Sequence, residues 1–248
     1  MVTHPEPAGV ILLGGTHGAL SAARSFGRNN IPVLVVADDH ALPRFSRYVQ
    51  RSLKWPGPLS PLAGKWLVGL SMRYNLMNWL LIPCADAEVK CVAENLVELR
   101  CVYRVVCSDW AALRRVCDKQ LLPKTAAAAG VAFPKSYRIC SADAAATVDV
   151  DFPVVIKPSV RLQRNALTIS KAWRANSREE LIKLYKEAVL PVGSEAVVVQ
   201  DLIPGGGEAQ FSYTALWYMD GPVAEMTARR DATISRRIRS YQFLRGSH

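Results

Sequence analysis

Lys157 closes the apolar run Val154-Val-Ile156, with Pro153 and Pro158 on either side. Both faces of such a strand are covered, so the lysine next in line sits either at the end of a sheet or in a cavity with an anion, because burying an unpaired ammonium is costly. At the edge of a dry wall its charge interacts strongly with phosphate, which makes Lys157 a candidate phosphate ligand; the alternative is a plain surface lysine. Lys119, next to Asp118 at the start of a helical segment, could meet a phosphate from another side. A further anion signal is Gly14-Gly-Thr-His-Gly18, which follows the apolar run Val10–Leu13. Glycines there permit close backbone approach at a helix N-terminus, and Asp38 or Asp39 could take a ribose hydroxyl, as in an NAD-binding Rossmann unit. The spacing is G-G-x-x-G rather than G-x-G-x-x-G, so the glycines equally serve only to turn the chain into its helix. No Ser-His-Asp or Cys-His arrangement is evident. The cysteines at 84, 91, 101, 107, 117 and 140 never form CxxC, and the histidines at 4, 17, 40 and 248 are scattered, so no zinc spacing exists.

The chain that must position these residues has 248 of them, 50% apolar, with 31 Lys and Arg against 21 Asp and Glu. That apolar content excludes intrinsic disorder. The most apolar stretch, Trp66–Ile82, is interrupted by Arg73, Asn75 and Asn78, so no membrane span is expected, and the first residues lack the pattern of a secretory leader. The cysteines, mostly beside Val, Ile or Ala, read as small reduced core residues of a cytoplasmic protein. Half of the excess positive charge falls in residues 229–248, which hold six Arg and one Asp and end in Arg245-Gly-Ser-His248, a possible tag remnant. In the body no basic stretch interleaved with aromatics is evident, so no specific nucleic acid is expected as a partner.

Alternation and capping signals predict the elements. Val10–Leu13, a helix over 19–28 and Pro32–Ala37 form a βαβ unit on a parallel sheet. Leu80–Pro83 is a further strand, a helix runs over 88–99, and Val102–Cys107 is again a strand. Ser108-Asp109 caps a helix to about Cys117. A helix from Asp118, interrupted by Pro123, stops at Gly130. Short strands are expected at 137–140, 154–157 and 168–173. Ser177-Arg-Glu-Glu180 is a capping box for a helix over 181–190. A strand at 196–203 leads into Pro204-Gly-Gly-Gly207, and Asp220-Gly221 turns a hairpin between 210–219 and 222–230.

Asp118-Lys119, Gly130-Val-Ala-Phe-Pro134, Phe152-Pro-Val-Val-Ile-Lys-Pro158 and Val198-Val-Gln-Asp-Leu-Ile-Pro-Gly205, in that order and spacing, resemble the ATP-grasp superfamily. The likeness is to its carboxylate–amine ligases, including carbamoyl-phosphate-synthase-like and D-aspartate-ligase-like enzymes. It runs from about residue 10 to 240, and Ser46-Arg47-Tyr48, Ile82–Asp86 and Arg236–Arg239 also resemble that group. The resemblance implies an α/β pre-ATP-grasp doubly wound domain over 1–115, an ATP-grasp α+β lid over 116–197, and a partial second ATP-grasp subdomain over 198–244. It implies ATP as cofactor, with an unidentified carboxylate activated as an acylphosphate and attacked by an unidentified amine. Lys119, Lys157 and Lys171 would meet phosphate. Gln200, Asp201 and Leu202 would mark the hinge against adenine, Asp201 standing where relatives usually have Glu, and Glu208 could face the ribose.

Two departures accompany the likeness. The stretch between Lys157 and Thr168 has no glycine, where relatives use a Gly-rich flap; Arg161 and Arg164 could substitute through charge. The acids after Glu208 are only Asp220, Glu225 and Asp231, so the Mg²⁺ expected of the family has no evident ligands and the residues given are expected not to turn over ATP at a ligase's rate. A non-catalytic nucleotide-binding or interaction module derived from the family, and an NAD-binding Rossmann protein, are the alternatives.

Overall fold

The computed structural model of the protein describes residues 7–38, 41–160, 165, 167, 172–218, 221–230 and 241–244. Its first sheet holds β1 (Val10–Leu13), β2 (Val33–Ala37), β3 (Val49–Lys54), β4 (Leu80–Pro83) and β5 (Arg104–Val105), all parallel, in the order β3-β2-β1-β4-β5. Every residue of β1 and β2 is buried, as a parallel sheet covered on both faces requires. On one face α1 (His17–Arg28) lays Ala19 and Ala23 against Val10, Leu12, Val33 and Val35. On the other, α2 (Ala63–Tyr74), α3 (Asp86–Glu94) and α4 (Leu96–Arg100) cover Ile11, Leu13, Leu34, Val36 and Leu81.

The structure departs from the periodicity reading in physical detail. The predicted 88–99 helix divides at Asn95, whose side-chain amide donates to the Cys91 carbonyl. β5 is two residues rather than six. β3 carries exposed Gln50, Arg51 and Ser52, the polarity of an edge strand, and so has no hydrophobic signature. Asp109 caps α5 (Trp110–Cys117), accepting from the Ala112 N–H at 2.9 Å. The next helix, α6 (Leu122–Ala128), begins later than predicted, because Pro123 belongs to its first turn, where a missing N–H costs nothing. Of the cysteines only Cys91 is buried, and Cys101, Cys117 and Cys140 are exposed. Cys117 ends α5, which has no buried residue, so apolar neighbours in sequence are no guide to the core there.

The second sheet is antiparallel, with β6 (Ser136–Tyr137), β7 (Val154–Pro158), β8 (Trp173–Ala175) and β9 (Val197–Asp201) in the order β6-β9-β7-β8. Of the predicted 168–173 strand, 168–171 lie outside the described residues. The helices α7 (Ala142–Thr147) and α8 (Arg178–Val192) cover Val154, Ile156, Val197 and Val199 through Ala145, Leu181 and Tyr185. Ser177 caps α8 by accepting the Glu180 N–H, while Glu180 accepts from the Asn176 N–H rather than Ser177's, so the predicted box closes one residue further out. Strict alternation leaves Val155, Lys157, Val198 and Gln200 on the face away from the helices.

Residues 1–201 form one compact unit and residues 202–248 another. Within the second, β10 (Phe211–Tyr218) and β11 (Gly221–Arg230) are the predicted antiparallel hairpin, and β12 (Tyr241–Leu244) pairs with β11. Among the described residues no helix is long and apolar enough to cross a membrane.

Candidate functional site

Lys157 on β7 and Gln200 on β9 are brought together on the face of the second sheet away from α7 and α8. The Lys157 Nζ lies 3.5 Å from the Gln200 Oε1, and the Gln200 Nε2 donates to the Ser136 Oγ on β6 at 2.8 Å. Gln200 is 7% exposed, so its amide is a buried polar group with a donor and an acceptor both engaged. The donation to Ser136 orients the amide, leaving its oxygen to face the ammonium. Lys157 is half-buried, burial lowers its pKa from the ordinary value, and among the described residues no carboxylate pairs with it.

Lys119 reaches the same strand by its end. Its backbone N–H and its Nζ both approach the Ser159 carbonyl, each at 3.1 Å, two residues beyond Lys157. Beside it, a cavity of about 410 Å³ opens among Lys119, Ser136, Tyr137, Arg138 and Val198, and Lys157 and Gln200 are not on its wall. The hinge differs from the expectation that β9 offers its backbone to an adenine. The Asp201 N–H donates to the Lys135 carbonyl at 3.0 Å, and the ladder to β6 and β7 occupies the strand as far as Asp201. Only the main chain from Leu202 onward lies past the ladder. The Asp201 carboxylate accepts the Tyr137 hydroxyl at 2.6 Å, which, with burial second, pushes the phenol up to about 12; Lys135 stacks over that ring at 4.9 Å. In the second unit, Glu208 accepts the Gly206 N–H at 3.1 Å within its own loop. Lys171, Arg161 and Arg164 lie outside the described residues.

The glycine turn of the first sheet carries a residue that sequence reading passed over. Gly14 has φ +111°, and a Cβ there would stand 3.3 Å from the Oε1 of Glu88, a carboxylate 7% exposed in the first turn of α3. Gly14 follows β1 and Cys84 follows β4, so Glu88 occupies the crevice where the strand order reverses. The signal for Glu88 was its place one helical turn beyond the strand end at Pro83, visible only once β1 and β4 are neighbours.

Among the described residues no group of three or more His, Cys, Asp or Glu could hold a metal ion. No protein-family model and no curated protein sequence matches the chain. Solved structures do. The L-amino acid ligase from Bacillus licheniformis superposes with TM-score 0.72 at 10% identity, over 99% of this chain and 56% of that one. The carboxyaminoimidazole ribonucleotide synthase from Aspergillus clavatus, solved complexed with ATP, gives 0.67 at 16% identity, over 91% and 54%. The N5-carboxyaminoimidazole ribonucleotide synthetase from Thermus thermophilus gives 0.61 at 14%, over 90% and 54%. The chain thus spans about half the length of these structures. At such identity the likeness is one of fold alone, the fold shared with these ligase and synthetase structures.

Proposed function

We propose that this chain is the nucleotide-binding part of an ATP-dependent carboxylate–amine ligase, with residues 1–115 as pre-ATP-grasp domain, 116–197 as lid and 198–244 as the opening of the second ATP-grasp subdomain. The carrying observation is Lys157: a half-buried ammonium held by a neutral amide, its charge left for an anion. Catalysis of this class is largely positioning and charge neutralisation, which asks of the protein cations rather than a nucleophile. Lys157 would meet the phosphates from β7 and Lys119 from the segment before α6. Support comes from the shared fold and from the complex of one neighbour with ATP.

Calorimetric titration with ATP and, separately, with NADH tests the reading. ATP binding that Lys157→Met weakens, without NADH binding, is expected. Absence of ATP binding, or NADH binding in its place, would overturn it.

A further inference from the structure

The second sheet leaves a gap along β9 that the pairing of Lys157 with Gln200 does not use. β6 pairs only Ser136 and Tyr137 with β9, at Gln200 and Val199, whereas β9 runs back through Val198 and Val197, which pair with β7 alone. The chain leaves the sheet at Arg138, so β6 does not cover that flank. Alternate residues of a strand turn their main-chain groups to the same side. The Asp201 N–H is used toward β6 and the Ala196 carbonyl is used on the β7 side, by the Ser159 N–H, so the Val197 carbonyl turns to the gap. The segment before α6 closes the opposite side, where the Gln120 side-chain amide donates to the Glu195 carbonyl two residues ahead of β9.

This gap is the cavity of about 410 Å³, within the range of small-molecule sites, about 300–1,000 Å³. Much of its wall is apolar and packed: Ile139 is 5% exposed, Val197 6% and Val198 3%. Tyr137 adds a ring held in place, its hydroxyl on Asp201 at 2.6 Å and Lys135 stacked over it. Lys124 and Arg138 bring cations to the same wall, and among the described residues neither pairs with a carboxylate. Among the described residues of the wall the one acid is Glu195, so two cations less one carboxylate leave a single positive charge. Lys119, also on the wall, donates to the Ser159 carbonyl.

We propose that this cavity binds a carboxylate monoanion with an aromatic body, its charge at Lys124 and Arg138 and its ring against Val198, Ile139 and Tyr137. A planar guanidinium fork matches the two oxygens of a carboxylate, and lysine adds a point charge. One net positive charge suits a monoanion and would leave a dianion half neutralised. The apolar wall rewards a body that leaves water, and a flat one fits beside the fixed Tyr137 ring. Lys157 and Gln200 are not on the wall, so the site goes beyond the nucleotide reading and does not depend on it.

The test offers naphthylacetate, naphthylacetamide, acetate and inorganic phosphate to the full chain. Binding is followed by calorimetry and by timed alkylation of Cys140, an exposed thiol on the cavity wall. Naphthylacetate should bind and slow the alkylation of Cys140, while Cys101, exposed and off that wall, should react as before. The neutral amide and the ringless acetate should each bind about tenfold or more weakly, and phosphate should also bind more weakly. Lys124→Gln/Arg138→Gln should lose a similar factor for naphthylacetate, and Lys157→Met should bind it like the wild type. Absence of binding or of Cys140 protection would overturn the proposal. So would amide or phosphate binding as tightly as the acid, or unchanged binding by a double variant whose melting temperature is intact. If that variant does not fold, the comparison of acid with amide on the wild type decides alone. ATP affinity lost in Lys157→Met but kept in the double variant separates the two sites, so either assignment can fail alone.

Discussion

The ammonium of Lys157 lies 3.5 Å from the amide oxygen of Gln200, across two paired strands and 43 positions apart in sequence. A carboxylate at position 200 would pair with that charge and cancel it. The amide aims the ammonium and leaves its charge in place, which suits a residue whose partner is a ligand. Ser136 completes the arrangement by holding the other end of the amide.

Replacing Lys157 with Met keeps most of the stem's packing and removes the charge. A charge-assisted contact to phosphate is typically worth ~1.5–3 kcal/mol, so ATP affinity should fall about 10- to 150-fold with the melting temperature little changed. Calorimetry and thermal melts check both. Equal affinity in the variant would make Lys157 a surface lysine.

Gln200→Glu should weaken ATP binding while keeping or raising thermal stability, because the new carboxylate neutralises Lys157 in a half-buried setting. Gln200→Met should weaken binding and lower stability, since the Ser136 hydroxyl and the ammonium both lose their partner. A Glu variant that binds ATP as well as the wild type would contradict the charge argument.

Burial lowers the Lys157 pKa below its ordinary 10.5. Below the folded-state pKa the cost of burying the ammonium is fully present, and it is relieved as pH rises through that value toward 10.5, so this group makes stability rise with pH there. ATP affinity runs the other way, falling as the ammonium deprotonates. Affinity and melting temperature measured between pH 7 and 10 should therefore diverge, and Lys157→Met should flatten both trends.

The phenol of Tyr137, pushed up to about 12 by its bond to Asp201, contributes stability that is present below its ordinary 10.0 and is lost as pH rises through 12. Ultraviolet titration of the wild type minus Tyr137→Phe should show one phenol ionising late. The same variant should cost on the order of 1 kcal/mol at neutral pH. A difference spectrum centred near 10 would show that the bond to Asp201 does not form in solution.

Thiol labelling of the folded protein should modify Cys101, Cys117 and Cys140 first, since these are exposed. Cys84 and Cys91 should resist, because burial foremost, with Glu88 adding at Cys84 and Glu94 at Cys91, raises each thiol to about 11. Peptide mapping after timed alkylation gives the order. Early labelling of Cys91 would show that α3 does not pack as described.

Sequence by itself determined the elements whose signals are local. β1, β2, β4 and β7 announce themselves as apolar runs, the α5 and α8 caps as Asp109 and Ser177, and the hairpin as Asp220-Gly221. Lys157 was legible for the same reason, a charge at the end of a run that must be covered. Tertiary structure decided what no window of neighbours contains. The pairing of β7 with β9 sets Gln200 beside Lys157, the pairing of β9 with β6 gives Asp201 to Tyr137, and the reversal of strand order at β1 and β4 brings Glu88 to Gly14. β3 and the exposed cysteines escaped prediction because burial follows from which strand becomes the edge and which helix stays uncovered. Charge and hydrogen bonding act through space, so the chemistry of the candidate site rests on contacts the chain makes only after it folds.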